Sequence, residues 1–238
     1  MVAYVFGAKS SGTQSVLLSG IAVWYGYITL ALFAVLAMTI VTTISYASHS
    51  LAYSFRYTKL SPMSYILNLI GSSSVVGIIL SVIMILSTFA LFSERFGVSL
   101  PPSEFGTAIG VSALAGVFEF AFGAAIVLLV VNYLGLQSQG FVNFLPVMLT
   151  IFLGLSQAFV TLPKLLVYLS PFNEIESLLY LGYSGQTPHV SLSDPTTAIL
   201  NSQLLLLALI AWIAILVSVD GFLLKRLKPR QLEEGRQI

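Results

Sequence analysis

Long apolar runs separated by short polar segments dominate the chain. The runs cover residues 16–44, 73–93, 107–135, 142–169 and 203–224, to within a few residues at each end. Each run reaches the roughly 20 residues that a helix needs to cross a hydrocarbon core about 30 Å thick. A transmembrane β-barrel would instead alternate apolar and polar residues in segments of about ten. The pattern therefore predicts an all-α fold, a polytopic transmembrane helical bundle with five spans in one membrane domain over residues 1–238.

Composition supports the same class. The chain has 238 residues, of which 57% are apolar and only 8% are charged. Soluble domains carry about 25% charged residues, so a water-soluble globule is excluded. The chain has no cysteine, which excludes disulfides, thiolate catalysis and cysteine-ligated metal.

A polar, basic segment at 46–71 separates the first two apolar runs. Ser50 is a candidate N-cap, and Leu51 and Phe55 recur at helical spacing after it. This pattern predicts a short amphipathic helix along the membrane surface. A surface helix that binds no partner would give the same pattern.

The second half of that segment carries its charge and its stop signal. Arg56 and Lys59 lie off the apolar line of the predicted short helix. Pro62 either stops or restarts the helix, with Ser61 as the cap and Pro62 at the first helical position.

The placement of Lys and Arg predicts the orientation. Basic residues in short loops favour the cytoplasmic side. If 46–71 is cytoplasmic, that side holds Arg56, Lys59, Lys225, Arg226, Lys228, Arg230 and Arg236. The opposite side then holds only Lys9, Arg95 and Lys164. We therefore expect a multi-pass protein of the cell membrane with its N-terminus outside and its C-terminus in the cytoplasm.

Residues 170–202 form a long stretch that is too polar to span. Within it, Ile175, Leu178 and Leu179 keep a helical spacing. We interpret the segment as a re-entrant or interfacial helix followed by a loop rich in Gly and Pro. Pro146 and Pro163 lie in the preceding run, which we expect to be kinked or broken.

Small residues mark the third run as a close-packing helix. Gly106 and Gly110 form a GxxxG pair, and further small residues follow at Ala113, Gly116, Gly123 and Ala124. Small side chains let helices approach closely in lipid.

Two acidic residues fall inside apolar runs. Glu119 lies near the middle of the third run, where a carboxylate costs several kcal/mol unless it faces protein or water. It is either a polar site in a substrate path or a protonated group bonded to a neighbouring helix, and the sequence shows no partner at its depth. Asp220 lies near Lys225 and Arg226, and we interpret it as one partner of an interfacial salt bridge.

The sequence contains few residue patterns that are typical of catalytic sites. No GxxxxGK[ST] phosphate-binding loop occurs, and the two histidines, His49 and His189, fall on opposite sides in the predicted topology. We expect a chain that is not an enzyme, holds no metal or other cofactor itself and binds no nucleic acid.

The order of these elements resembles the ABC-2 type permeases, the membrane subunits of exporters driven by a separate ATP-binding-cassette ATPase. Ser61-Pro62-Met63-Ser64, followed by Tyr65-Ile66-Leu67, is similar to the family's segment before its third span. Leu162-Pro163-Lys164-Leu165-Leu166, leading to Ser170-Pro171-Phe172-Asn173, looks like the stretch where the family's fifth span gives way to re-entrant helices. The final span with its basic end completes the order over about 160 residues.

The resemblance implies roles for two sets of residues. Residues 50–60 would be a coupling helix that docks on an ABC ATPase subunit, with ATP and Mg held by that partner. The coupling residues would be Leu51, Phe55, Arg56, Lys59, Ser61 and Pro62. The extracellular re-entrant element would contain Pro163, Pro171, Asn173, Glu174 and Glu176. A second copy of the permease, or a related one, would complete the pathway in the lipid membrane.

Two departures from the family pattern are visible. The acidic, Gly-containing run usual in the coupling helix is replaced by Ser50-Leu51-Ala52-Tyr53-Ser54-Phe55-Arg56. The family's first span has no counterpart here, so we expect a truncated start, a five-span variant or a separate chain that supplies the missing span.

Other classes stay open at this point. The chain would alternatively be a structural or assembly subunit of another membrane complex, or a transporter outside the ABC class. A secondary transporter usually shows repeated halves with matched interruptions, which this sequence does not show.

Overall fold

The computed structural model describes residues 14–134, 139–154 and 156–227, and these are almost entirely helical. The helices are α1 (Gln14–Tyr57), α2 (Pro62–Phe96), α3 (Phe105–Leu129), α4 (Gln139–Gly154), α5 (Ser156–Phe159), α6 (Lys164–Leu169), α7 (Pro171–Ser184) and α8 (Ser202–Lys225). A π-helical turn, Val130–Leu134, continues α3. The described ranges contain no strand, only an isolated bridge between His189 and Ile199. The all-α prediction is confirmed.

Four of these helices are long and apolar enough to cross a membrane: Gln14–Ala47 within α1, then α2, α3 and α8. The chain is therefore consistent with a multi-pass membrane protein, as the sequence predicted. The fourth predicted span, 142–169, is not one continuous helix, because residues 160–163 between α5 and α6 are not helical. This agrees with the expected kink or break in that run. Pro163 ends this break, whereas Pro146 lies inside α4 without ending it.

The boundary between the first two spans also differs from the prediction. α1 continues without interruption to Tyr57, so the segment 46–71 contains no separate surface helix. Ser50 is not an N-cap, because it lies inside α1 and its Oγ donates to the carbonyl oxygen of Ala47 at 2.9 Å. α2 begins at Pro62, 11 residues before the predicted start of that span at 73.

The start signal of α2 is confirmed. Ser61 is the N-cap, and its Oγ accepts a hydrogen bond from the backbone N–H of Ser64 at 3.1 Å. Pro62 occupies the first turn, where its missing N–H leaves no hydrogen bond unmade.

The bundle has two ends, which we name by their connections. At the hairpin end, residues 58–61 join α1 to α2. At the loop end lie the start of α1, residues 97–104 between α2 and α3, and residues 185–201 between α7 and α8. The sequence predicts that the hairpin end is cytoplasmic and the loop end is outside.

Helix α3 lies at the centre of the bundle, packed against α1, α2, α7 and α8. Its close contacts are made at glycines. A Cβ at Gly116 would lie 3.3 Å from the carbonyl oxygen of Ser73 on α2, and one at Gly123 would lie 3.2 Å from that of Ala37 on α1. Small residues therefore set the helix separation here, as expected in lipid.

Candidate functional site

The hairpin end packs two of the predicted coupling residues, Leu51 and Phe55, against a hydrophobic cluster. Leu51 near the end of α1 is only 8% exposed, and Ile66 in the first turns of α2 is 3% exposed. Both belong to a cluster that also contains Leu128 of α3 and Leu223 of α8. The side chain of Phe55 packs against Tyr65, with ring centroids 6.0 Å apart. The two helix ends are thereby fixed to each other and to the rest of the bundle.

The tip of the hairpin presents positive charge and aromatic rings to its surroundings. Arg56 and Lys59 are both exposed. Tyr53 and Tyr57 stack one turn apart with centroids 5.9 Å apart, and both rings are largely exposed. We call the segment from Tyr53 to Ser61 the hairpin tip. The basic tail residues Lys228, Arg230 and Arg236, as well as Lys9, lie outside the described residues, and so does the side chain of His49.

The structure places the predicted coupling residues together. All six lie within the last two turns of α1, residues 58–61 or the first residue of α2. Leu51 and Phe55 face the bundle, whereas Arg56 and Lys59 face away from it. The predicted division between an apolar line and a charged side is therefore observed, although on the end of α1 rather than on a separate helix.

The second predicted group surrounds α7 at the loop end. Pro163 precedes α6, and Pro171 is the first residue of α7. Helix α7 packs against α1, α3 and α8, and nearly all of its residues are buried. Two glycines allow α7 to pack this closely against α3 and α1. A Cβ at Gly182 would lie 2.8 Å from the backbone of Ala108 on α3, and one at Gly26 would lie 3.3 Å from the carbonyl oxygen of Glu176.

Two carboxyl groups of α7 are buried without a hydrogen-bond partner in the described part of the chain. Glu174 and Glu176 are both fully buried, and neither carboxyl oxygen of either residue has a partner. Burial raises the pKa of Glu174 to about 8, and it raises the pKa of Glu176 well above its usual range. Both groups therefore favour the protonated, neutral form.

A buried amide ties α5 to α7. Gln157 Nε2 donates to Ser177 Oγ at 2.9 Å and to the carbonyl oxygen of His189 at 3.1 Å, and Ser177 Oγ donates back to Gln157 Oε1 at 3.1 Å. Ser156 Oγ makes a longer contact of 3.4 Å with Asn173 Oδ1. These bonds hold α5, near the end of the fourth apolar run, against α7, the predicted re-entrant helix.

The C-terminal end of α7 is closed by the loop between α2 and α3. The backbone N–H groups of Ser103 and Glu104 donate to the carbonyl oxygens of Tyr183 and Gly182 at 2.9 and 3.0 Å. Gly185 ends the helix in the left-handed conformation, with φ of 70°, which a glycine adopts without strain. The last carbonyls of α7 therefore find partners away from water.

Glu119 has a hydrogen-bond partner that sequence reasoning missed. Thr150 of α4 donates its Oγ1 hydrogen to Glu119, at 3.0 Å from Oε1 and 3.3 Å from Oε2. Both residues are buried. The only sequence signal was a lone hydroxyl residue in the apolar run of α4. The bond agrees with the interpretation of Glu119 as a group bonded to a neighbouring helix.

Asp220 differs from its prediction. Its side chain is 3% exposed and faces a small cavity lined by Ser73 of α2, Ala121 of α3 and apolar neighbours. Its Oδ1 has no hydrogen-bond partner within the described ranges. Arg226, one of its two predicted partners, lies over the ring of Phe222 instead, 4.2 Å from the centroid. The interfacial salt bridge is therefore not formed, because Asp220 turns inward rather than toward the helix end.

The described side chains include no group of three or more His, Asp or Glu residues placed to hold a metal ion. The predicted residues thus form two separate groups, a charged tip at the hairpin end and a buried acidic helix at the loop end. Neither resembles a set of catalytic groups acting on one substrate atom.

Comparison with other proteins gave no assignment. No protein-family model, curated protein or solved structure shows a significant match to this chain.

Proposed function

We propose that the chain is the permease subunit of an ATP-binding-cassette exporter. In this proposal it forms the substrate pathway in the membrane and is driven by a separate ATPase. The four apolar helices of spanning length support the membrane location. The motif resemblance to ABC-2 permeases supports the class, and the two sites described above fit the parts that such a subunit needs.

The observation that carries the proposal is the hairpin tip. A coupling element needs a surface that a soluble partner can contact and a stiff connection to the spanning helices. Arg56 and Lys59 supply the exposed surface. Leu51 and Ile66 supply the connection, because they are buried in one cluster with residues of α3 and α8. A force applied at residues 58–61 would therefore move several spanning helices together.

The length of α1 strengthens this argument. At 1.5 Å per residue, its 44 residues extend about 66 Å, more than twice the hydrocarbon thickness. A hydrocarbon core about 30 Å thick takes only about 20 residues of such a helix, so α1 extends well beyond it. In the predicted orientation its last turns project into the cytoplasm, where an ATPase would meet them.

The arrangement at the loop end is also consistent with the proposal. The fourth apolar run breaks at residues 160–163, and the short helix α6 and the buried helix α7 follow before the last span. This order matches what the resemblance implies for an extracellular re-entrant element. Glu174, Glu176 and Asn173 lie inside it.

The proposed mechanism is a rigid-body change of access. ATP and Mg would bind to the partner ATPase, whose closure would displace the hairpin tip. The spanning helices would then rotate relative to a second permease subunit and open the pathway to the other side. No step requires a cofactor on this chain.

Charge reversal at the tip tests the proposal. The chain would be co-expressed with the ATPase encoded nearest to its gene and reconstituted in lipid nanodiscs. We expect Arg56→Glu combined with Lys59→Glu to lower permease-stimulated ATP hydrolysis by about tenfold or more, equivalent to about 1.4 kcal/mol. Lys164→Glu, which changes an exposed cation at the start of α6, serves as the matched control and should leave the stimulation unchanged.

Normal stimulation in the double variant would count against docking at the hairpin tip. Failure to co-purify any ATPase would count against the exporter proposal as a whole. The unfolding temperature of each variant, measured in parallel, separates a docking effect from misfolding.

A second candidate is a carrier that works without an ATPase. It is favoured by Asp220, a membrane-buried acid with an unpartnered oxygen, because intramembrane carboxyl groups often mark proton paths. The same purification distinguishes the two candidates, since such a carrier would transport without an ATPase subunit.

A further inference from the structure

A cleft opens at the loop end of the bundle. It has a volume of about 490 Å³ and lies between the first turns of α1, helix α7 and the loop 186–195. This volume is in the range of small-molecule sites, roughly 300–1,000 Å³. The cleft lies at the opposite end of the bundle from the hairpin tip.

The lining of the cleft combines aromatic rings with neutral polar groups. Trp24 of α1 and Tyr180 of α7 contribute the rings, while Gln186 and His189 contribute polar groups. None of the described residues that line it is Asp, Glu, Lys or Arg. Asp194, a neighbour in sequence, uses Oδ1 to accept bonds from the N–H and hydroxyl of Thr196.

Gln186 contacts two hydroxyl groups and has donor capacity left over. Its Oε1 lies 2.9 Å from Ser19 Oγ and 3.1 Å from the Tyr180 hydroxyl. Ser19 Oγ also lies 2.8 Å from the carbonyl oxygen of Ser15, to which its single hydrogen can be donated instead. The amide nitrogen makes one long contact, 3.5 Å to the same carbonyl oxygen. With the amide placed in this way, one of its two N–H groups has no partner in the described residues.

His189 presents the complementary group. Its Nδ1 lies 2.8 Å from the carbonyl oxygen of Thr197. Because a carbonyl oxygen only accepts hydrogen bonds, Nδ1 must carry the hydrogen. In the tautomer with its single hydrogen on Nδ1, Nε2 carries the lone pair and is an acceptor. The cleft thus offers an amide donor and an imidazole acceptor beside aromatic surfaces.

From these groups we propose that the cleft is a binding site for a neutral, polyhydroxylated ligand of the carbohydrate class. Hydroxyl groups both donate and accept, so they match Gln186 and His189 together. The apolar C–H faces of a sugar ring pack against aromatic side chains such as Trp24. An anionic ligand would meet no positive charge among the described lining residues, and a purely apolar one would leave the polar groups unpaired.

A larger side chain at position 20, in place of Gly20, would fill the cleft without disturbing the fold. Gly20 lines the cleft, and a Cβ built on it meets no atom within 4 Å. It also lies inside α1, where replacing glycine by leucine improves helix propensity. Gly71 of α2 has the same open surroundings away from the cleft. Gly20→Leu and Gly71→Leu are therefore a matched pair.

The chain has two tryptophans, so a Trp212→Phe background leaves Trp24 as the single reporter. The protein would be placed in phosphatidylcholine nanodiscs, since maltoside detergents carry a competing sugar group. We expect maltose to cause a saturable change in Trp24 fluorescence. Its apparent affinity should fall at least tenfold in Gly20→Leu and stay unchanged in Gly71→Leu, with no lowering of either unfolding temperature.

Three results would overturn the proposal. The absence of a saturable response to both maltose and glucose would exclude the ligand class. Binding that survives in Gly20→Leu would place the sugar elsewhere. Equal affinity for glucose 6-phosphate would contradict the requirement for a neutral ligand. No ATPase is present in this assay, so its outcome is independent of the exporter proposal.

Discussion

Glu119 and Thr150 are paired by a hydrogen bond between two helices in the interior of the bundle. The Thr150 hydroxyl lies within 3.3 Å of both carboxyl oxygens of Glu119. An acid at this depth loses its water, and a hydroxyl donor offsets part of that loss. The apolar neighbours of Glu119 in the sequence predict a position inside the membrane. The partner of Glu119 could not be found from the sequence, because the register between α3 and α4 is set only by packing.

Removing that donor should destabilise the protein. We expect Thr150→Val, which keeps the shape of the side chain, to lower the free energy of unfolding by about 1–3 kcal/mol, since a buried acceptor is left unpaired. Thermal unfolding in nanodiscs measures the effect. Thr39→Val is the control, because Thr39 is exposed and bonds only to its own helix at Leu36. Equal unfolding temperatures for Thr150→Val and Thr39→Val would show that Glu119 does not depend on this bond.

At the scale of elements, the continuation of α1 through the predicted break has a local cause. Its last turns are rich in hydroxyl residues, which make the segment look like a loop. In the structure the Ser50 side chain donates to the carbonyl oxygen of Ala47 in the same helix. Thr42 and Thr43, just before the predicted break, donate in the same way to carbonyl oxygens four residues earlier. Such bonds satisfy the polar groups without leaving the helix. Hydropathy alone does not distinguish this arrangement from a break.

The glycines of α3 show a second limit of sequence reasoning. Close packing by small residues was predicted correctly for this helix. A Cβ built on either Gly106 or Gly110 of the GxxxG pair, however, would meet no atom within 4 Å, whereas Gly116 and Gly123 make the close approaches. The pattern identifies a helix that can pack tightly. Which of its faces does so depends on where α1 and α2 lie.

Helix α7 should make stability depend on pH. Burial raises the pKa of Glu174 to about 8 and that of Glu176 in the same direction. Below the ordinary carboxyl pKa, near 4.5, both the folded and the unfolded chain are protonated. As the pH rises toward 8, the unfolded chain loses its protons while the folded one keeps them, so stability falls. We expect the unfolding temperature to decrease by several degrees between pH 5 and pH 8.

Neutral variants check the assignment. Glu174→Gln should weaken the pH dependence and raise the unfolding temperature at pH 8, because the amide has no charged form to exclude. Glu94→Gln changes an exposed acid and should leave the pH profile as it is. An unchanged profile in Glu174→Gln would mean that another group dominates the titration.

For the whole molecule, the buried acidic helix and the charged tip lie at opposite ends of the bundle. A polar helix is tolerated near a membrane when protein surrounds it, and α7 is enclosed by α1, α3 and α8. The sequence identified α7 as a segment that does not span, but its burial on all sides depends on contacts between distant parts of the chain. The four helices that are long and apolar enough to span a membrane could be predicted from composition and length alone.

The distribution of basic residues between the two ends of the bundle also predicts an orientation in the membrane, which can be measured. Described cations at the hairpin end are Arg56, Lys59, Lys225 and Arg226, against Arg95 and Lys164 nearer the loop end, so the hairpin end should face the cytoplasm. The chain has no cysteine, and single cysteines can therefore be placed at two exposed positions. In intact cells a membrane-impermeant maleimide should label Ala198→Cys at the loop end and should label Tyr57→Cys at the hairpin tip only after permeabilisation. The reverse labelling would invert the topology and remove the hairpin tip from the reach of a cytoplasmic ATPase.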